Sequence, residues 1–257
     1  NIPQLSSNFT VPNDDDLDES FYSMSSSMIS STRPETSIHP SQKLDLYVGF
    51  LNVFHQVENT LDVQMVFSRD GRNWNRTNKR QPFIDNGPEN SWDQYQVAVP
   101  STPITIKDKI LIYYGGSNTH HDWWITGPRE NLNTPEAHDT SLVSHGIGIA
   151  ELGYDRYISL SPNNLREGLL VTKPIQTGNK NLIINADCSK SGNISIELLY
   201  INGEMISGFT KKDSIAFKGN STSHQYRWAN SGNTALPDWV ILRIWMKNAK
   251  LYSLKWE

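Results

Sequence analysis

The chain has 257 residues, 37% of them hydrophobic and 19% charged, with a formal net charge of −4; this is a globular composition and excludes a disordered chain. It carries no basic block, which argues against nucleic acid as a partner, and no apolar run long enough to span a bilayer as a helix. Eight Trp and ten Tyr in a Ser-, Thr- and Asn-rich chain point to an all-β protein, whose aromatic side chains fill cores or face sugars.

Residues 1–20 are polar, with an acidic cluster at Asp14, Asp15, Asp16, Asp18 and Glu19. Such a run reads as a solvated loop, and it lacks the glycine spacing of a helix-loop-helix calcium site. The start at Asn1, without a signal peptide, reads as a mature or processed chain. Strands are predicted over Phe21–Ile29, Leu44–Phe50 and Asp62–Ser68, with a hairpin turn at Asp70-Gly71 and a return strand from Trp74. The stretch Gly87–Ile104 follows. It opens on a Gly-Pro turn, places Glu89 and Asp93 either side of Trp92, and alternates Tyr95, Val97 and Val99 against Gln94, Gln96 and Ala98. Strict alternation predicts a two-faced strand, and Pro100 and Pro103 end it. Lys109–Gly116 is the next predicted strand.

The order then recurs. Gln94–Pro100 corresponds to Phe21–Ile29, Ile110–Gly115 to Leu44–Phe50, His145–Glu151 to Asp62–Ser68, and Tyr157–Leu160 to the strand at Trp74. Two four-stranded antiparallel units with a period of roughly 70 residues read as propeller blades. The long Thr119–Ser144 insertion, with His120, His121, Asp122, Trp123 and Trp124, interrupts the second unit. After Leu160 shorter strands are predicted: Leu182–Ala186, Ser195–Ile201, Ser214–Phe217, His224–Trp228, Val240–Met246 and Lys250–Trp256. Turns fall at Asn202-Gly203 and Asn248-Ala249, a β-sandwich pattern. The division is therefore residues 1–162 for the blades and 163–257 for the sandwich.

Four sequons occur, at Asn8, Asn75, Asn193 and Asn220. They favour a secreted glycoprotein, with Asn75 and Asn220 expected in exposed turns. The single cysteine, Cys188, makes no internal disulfide; it is a buried thiol or a bridge to a second chain.

The segments YVGF, VQMVFSRDGRNW, GPENSWDQYQVAVPSTPI, ILIYYGGSNTHH, HGIGIAELGYDRYISL, LVTKPI, LIINAD and AKLYSLKW together resemble the C-terminal half of a glycosidase-like family. The family resembles the β-fructosidases and arabinanase-type glycosidases. The resemblance covers nearly the whole chain beyond about residue 15. It implies a partial five-bladed β-propeller, about two blades, followed by a β-sandwich. It also implies an extracellular, carbohydrate-related function, with sugar binding ahead of hydrolysis for this chain alone. No Asn-Asp-Pro-Asn-Gly-type or Arg-Asp-Pro segment occurs, so no nucleophile carries over. By position, Glu89, Trp92, Asp93 and Gln96 resemble the mouth and inner strand of a blade. His55, His120 and His121 resemble rim residues of its funnel. The alternatives are a glycoside hydrolase completed by a second chain that supplies the remaining blades, and a structural or interaction protein on a reused propeller.

Bare of the resemblance, Asp93 either accepts sugar hydroxyls or caps a turn. Glu89 and Asp93 share one loop, which disfavours a facing catalytic pair. Adjacent histidines point apart, so a metal site would use only one of His120 and His121. Trp123 and Trp124 either stack on sugar rings or pack their own loop. No metal or cofactor motif is present.

Overall fold

The computed structural model describes residues 17–29, 46–77, 80–123, 136, 138–163, 166–178, 181–232 and 234–257. Asn8, Trp124 and the acidic residues before Leu17 lie outside the described residues. Within them the protein is all-β, with two sheets, neither closed into a barrel. Contacts divide the chain into two units, Asn1–Ile104 with Leu111–Glu151, and Thr105–Ile110 with Leu152–Glu257.

In the first unit, β1 (Glu19–Ile29), β2 (Leu46–His55), β3 (Thr60–Ser68) and β4 (Trp74–Arg76) form an antiparallel meander. β2 reads as a near-continuous apolar run because both of its faces are covered, whereas β3 also buries polar Asp62, Gln64 and Ser68; Val48, Phe50, Val53 and Val63 are wholly buried. The β3–β4 turn uses Gly71 at φ +70°. Backbone N–H groups of Arg72 and Asn73 donate to the Asp70 carboxylate, with the Asn73 side chain adding a third bond, and together they hold it below the usual carboxylate range. The end of the acidic run is structured. Asp18 accepts the Val57 N–H at 2.6 Å, and Glu19 pairs with Arg76 at 2.7 Å.

A second, partial meander follows: β5 (Gln96–Ala98), β6 (Ile104–Ile106), β7 (Lys109–Ser117) and β8 (His145–Gly153), with β7 pairing β5, β6 and β8. The predicted fourth strand, Tyr157–Leu160, does not join β8. Its Leu160 bridges Leu251 instead. The two meanders meet in one parallel bridge, Leu61 to Gln96, beside the Leu61 N–H to Tyr95 carbonyl bond. Beyond it, buried Asn52 receives the Val99 N–H on Oδ1 at 3.0 Å and donates to Ser23 Oγ at 2.7 Å, while Ser25 Oγ donates to the Val99 carbonyl. Side chains thus satisfy the backbone where Pro100 ends the ladder.

In the second unit, β9 (Gly168–Val171), β10 (Ile175–Gln176), β11 (Leu182–Leu199), β12 (Asn220–Gln225) and β13 (Trp239–Trp256) form one sheet in the order β10-β13-β11-β12, with β9 also on β13. Two pairs of predicted strands are therefore two continuous ones. Asn248 marks a bulge in a continuous strand, not a hairpin turn: Ala249 pairs with Cys188 and Lys247 with Asn193, and Asn248 between them sits at φ +43°. Opposite it β11 places Gly192, where a Cβ would come within 2.1 Å of the Asn248 carbonyl oxygen. Across this bulge the inward residues of β13 change from even (Leu242, Ile244, Met246) to odd (Ala249, Leu251), yet all join one core with Ile184, Ile196, Phe209, Tyr226 and Trp228. The Asn202-Gly203 turn is as predicted, with Gly203 at φ +88°. Ser214 and Phe217 make only isolated bridges. Cys188 is 6% exposed within this core, and burial pushes its thiol up to about 11. Arg156 ties the preceding turn to the sheet, donating to Asn185 Oδ1 and Asn220 Oδ1 and lying over the Tyr252 ring.

Replacing Asn52 by Ala strands the Val99 N–H, itself 1% exposed. We expect the urea midpoint to fall by the equivalent of ~1–3 kcal/mol. A loss within about 0.5 kcal/mol would show that the meanders are held by something else.

Candidate functional site

The segment carrying Glu89, Trp92 and Asp93 is a closed loop. The Gly87 N–H donates to the Asp93 carbonyl at 3.0 Å, and Asn90, at φ +67°, donates its N–H to the Gln94 side chain. Asp93 then reaches in two directions: Oδ1 accepts from Ser91 Oγ at 2.8 Å, and Oδ2 from the Tyr114 hydroxyl at 2.9 Å. A carboxylate has about four acceptor positions, so each oxygen retains capacity. Asp93 therefore does cap its loop, while staying oriented. Exposed Glu89 takes no described hydrogen bond.

Trp92 stacks on Tyr114, ring centroids 5.8 Å apart and 18° between planes. Both rings lie on a bed of glycines. A Cβ on Gly116 or Gly146 would meet the Trp92 ring at 2.7 Å, and one on Gly148 would meet Tyr114 at 2.3 Å. None of the three needs a left-handed backbone; they are glycine because an aromatic ring occupies the space a side chain would take. Burial first, then the Asp93 hydrogen bond, pushes the Tyr114 phenol up.

Beside this platform Tyr95 stacks on His120, centroids 3.8 Å apart. The His120 Nδ1 lies 2.7 Å from Glu136 Oε1, which also accepts the His120 backbone N–H at 3.0 Å. Burial raises the Glu136 carboxyl, but these bonds outweigh it and hold the group below its usual range. Tyr95 is pushed up by burial and then by the charges of Glu136 and Glu89. Gln96 points its amide into the fold, onto the Thr119 carbonyl and hydroxyl, and Thr119 is fully buried against Ser117.

The predicted site residues thus sort into groups. Glu89, Trp92 and Asp93 share one loop, His120 adjoins it through Tyr95, and Gln96 is a structural clasp. His55 belongs elsewhere. Its Nε2 meets Asp62 Oδ2 at 2.9 Å, on the face of β2 opposite Phe54. His121 packs against Tyr22 and Phe54 and bonds Asp122. The side chains of His55, His120 and His121 are 15–21% exposed. Among the described residues no group of three His, Cys, Asp or Glu side chains has a metal-holding arrangement. Sequence reading missed Tyr114 and Glu136. Tyr114 carried a signal in the Gly146-Ile147-Gly148 pattern; Glu136 carried none.

No family model matches this chain, and no curated protein matches it. A solved structure of an N-acetylgalactosamine deacetylase from F. plautii in complex with blood group B trisaccharide is similar to it at a TM-score of 0.30 and 17% identity, over 42% of this chain and 30% of that one. The chain spans under a third of that protein's length, and a likeness at this level carries no argument about fold or site.

The His55 pair has a pH signature. The Asp62 hydrogen bond raises the imidazole above its usual range against the opposing effect of burial, and the charges of Asp62, Glu19 and Glu58 add to it. A raised histidine stabilises the fold fully below the unfolded value of about 6.5 and loses that contribution as pH climbs through the folded value. The denaturant midpoint of wild type should exceed that of His55→Gln most at pH about 5, with the gap narrowing toward alkaline pH. A gap independent of pH would exclude the ion pair.

Proposed function

We propose that this chain is an extracellular carbohydrate-binding glycoprotein, glycosidase-like in architecture, with about two propeller blades followed by a β-sandwich. The β1–β4 meander and the partial β5, β7, β8 meander support the blade reading. One observation carries the sugar reading. A half-buried Trp92 ring lies flat on a glycine bed, with oriented Asp93 behind it and the exposed, uncommitted Glu89 on the same loop. Aromatic faces take the apolar face of a pyranose or furanose, and carboxylates take its hydroxyls. Binding ranks ahead of hydrolysis because the loop carboxylates do not form a facing pair and Asp93 is engaged by Ser91 and Tyr114. An apolar funnel would instead favour a structural role.

A second chain is the reading favoured by β8. Its only neighbour among the described residues is β7, and its outward Ile147 and Ile149 are 81% and 55% exposed. Further blades supplied by a partner would cover such a strand.

Trp92→Ala and Glu89→Gln should each weaken binding on a saccharide panel by tenfold or more, about 1.4 kcal/mol. Glu89→Gln should leave the melting temperature unchanged. Equal binding by both variants and wild type would retire this site. Asn75 is exposed on β4, and Asn220 keeps Nδ2 available while its Oδ1 accepts from Arg156. Native mass spectrometry of secreted material should show a second chain, and glycosidase treatment should lower the mass of this one. A bare, lone chain would remove both the glycoprotein and the partner readings.

A further inference from the structure

The pairing of His120 with Glu136 has a chemical consequence for the face it borders. Glu136 is buried, its side chain 6% exposed, and its Oε1 sits 2.7 Å from His120 Nδ1 while taking the His120 backbone N–H as well. Because those bonds hold its carboxyl below the usual range, Glu136 is ionised at neutral pH. An ionised carboxylate only accepts hydrogen bonds, so the proton of a neutral His120 ring must sit on Nδ1. That leaves Nε2 as a bare acceptor, and no described residue bonds it. The Tyr95 ring, stacked at 3.8 Å and 25°, fixes the plane of the imidazole. Tyr95 lies three residues after Trp92, where the same loop enters its strand, so the imidazole stacked on it borders that loop.

We infer that Glu136 is a positioning residue that locks His120 in its Nδ1–H tautomer, so that Nε2 accepts a hydrogen bond from a saccharide hydroxyl bound beside Trp92. The ligand half of this inference rests on the sugar-binding reading above; the tautomer half does not. Sugar hydroxyls can donate to Nε2 and to Glu89 together, whereas an apolar or purely accepting ligand would leave the nitrogen unpaired.

The test is long-range ¹H–¹⁵N spectroscopy of the imidazole-labelled chain at mildly alkaline pH, with Glu136→Gln and Glu136→Leu compared by thermal melting. Wild-type His120 should show a protonated Nδ1 and a bare Nε2. Glu136→Leu should shift the ring to the Nε2–H form that a free imidazole prefers, whereas Glu136→Gln, whose amide oxygen can still take both N–H groups, should keep Nδ1–H. If the leucine variant fails to fold, Glu136→Ala takes its place. An unchanged tautomer in a folded variant that lacks the acceptor overturns the positioning role. Titration with sucrose, arabinotriose or lactose should move the wild-type Nε2 resonance and fail to move it in Glu136→Leu. Saccharide binding that moves Trp92 resonances but not Nε2 overturns the acceptor role while leaving the sugar reading intact. If no saccharide moves any resonance, the sugar reading fails and the acceptor role falls with it, while the tautomer result stands by itself.

Discussion

Two antiparallel meanders in the first unit share a single ladder bridge, Leu61 to Gln96, and everything at the candidate site depends on how that joint is completed. One parallel bridge cannot hold two meanders in register. The completion comes from side chains. Asn52 and Ser25 take the backbone of Val99, and Asn59 takes the N–H groups of His121 and Asp122, through its carbonyl and its side chain respectively. Each replaces a strand neighbour with a polar group whose own burial would be costly without that bond. The joint therefore fixes both ends of the Tyr95–Gln96 segment and the start of the His120–His121 segment, which is where the stacked Tyr95 and His120 rings meet.

The site is rigid for a different reason. Its aromatic platform is supported by what its neighbours lack: three residues without side chains, over which Trp92 and Tyr114 lie. Asp93 then links loop and sheet through Tyr114. A platform held on strands, with its polar groups already oriented, loses little entropy when a ligand arrives. Glu89 stands apart from this network, and that independence is what lets binding be separated from folding at this position.

Much of the first meander could be read in advance. The apolar run of β2, the alternation within β3 and the Asp70-Gly71 turn act locally, and the strands follow them. The second unit was less legible. Asn248 and Gly192 look like turn residues in sequence, and only the pairing of two long strands turns them into a bulge. The Glu89–Trp92–Asp93 loop was visible because turn residues flank it. The partner of His55 could not be read in advance, because a strand's sequence does not say which face a residue takes at its last position, and Asp62, seven residues away, holds it. Glu136 is invisible in sequence, since a lone carboxylate sixteen residues from its histidine has no pattern to mark it.

Cys188 supplies something the rest of the chain does not. It is the sole thiol, sits in the core of the second unit, and burial pushes it up to about 11. The reactive species is the thiolate, which this environment suppresses until the strands around it part. Alkylation of the native protein is thus a clock for transient opening of that sheet: its rate relative to an unfolded peptide gives the free energy of the opening. The same residue makes the unit's breathing measurable without any engineered probe.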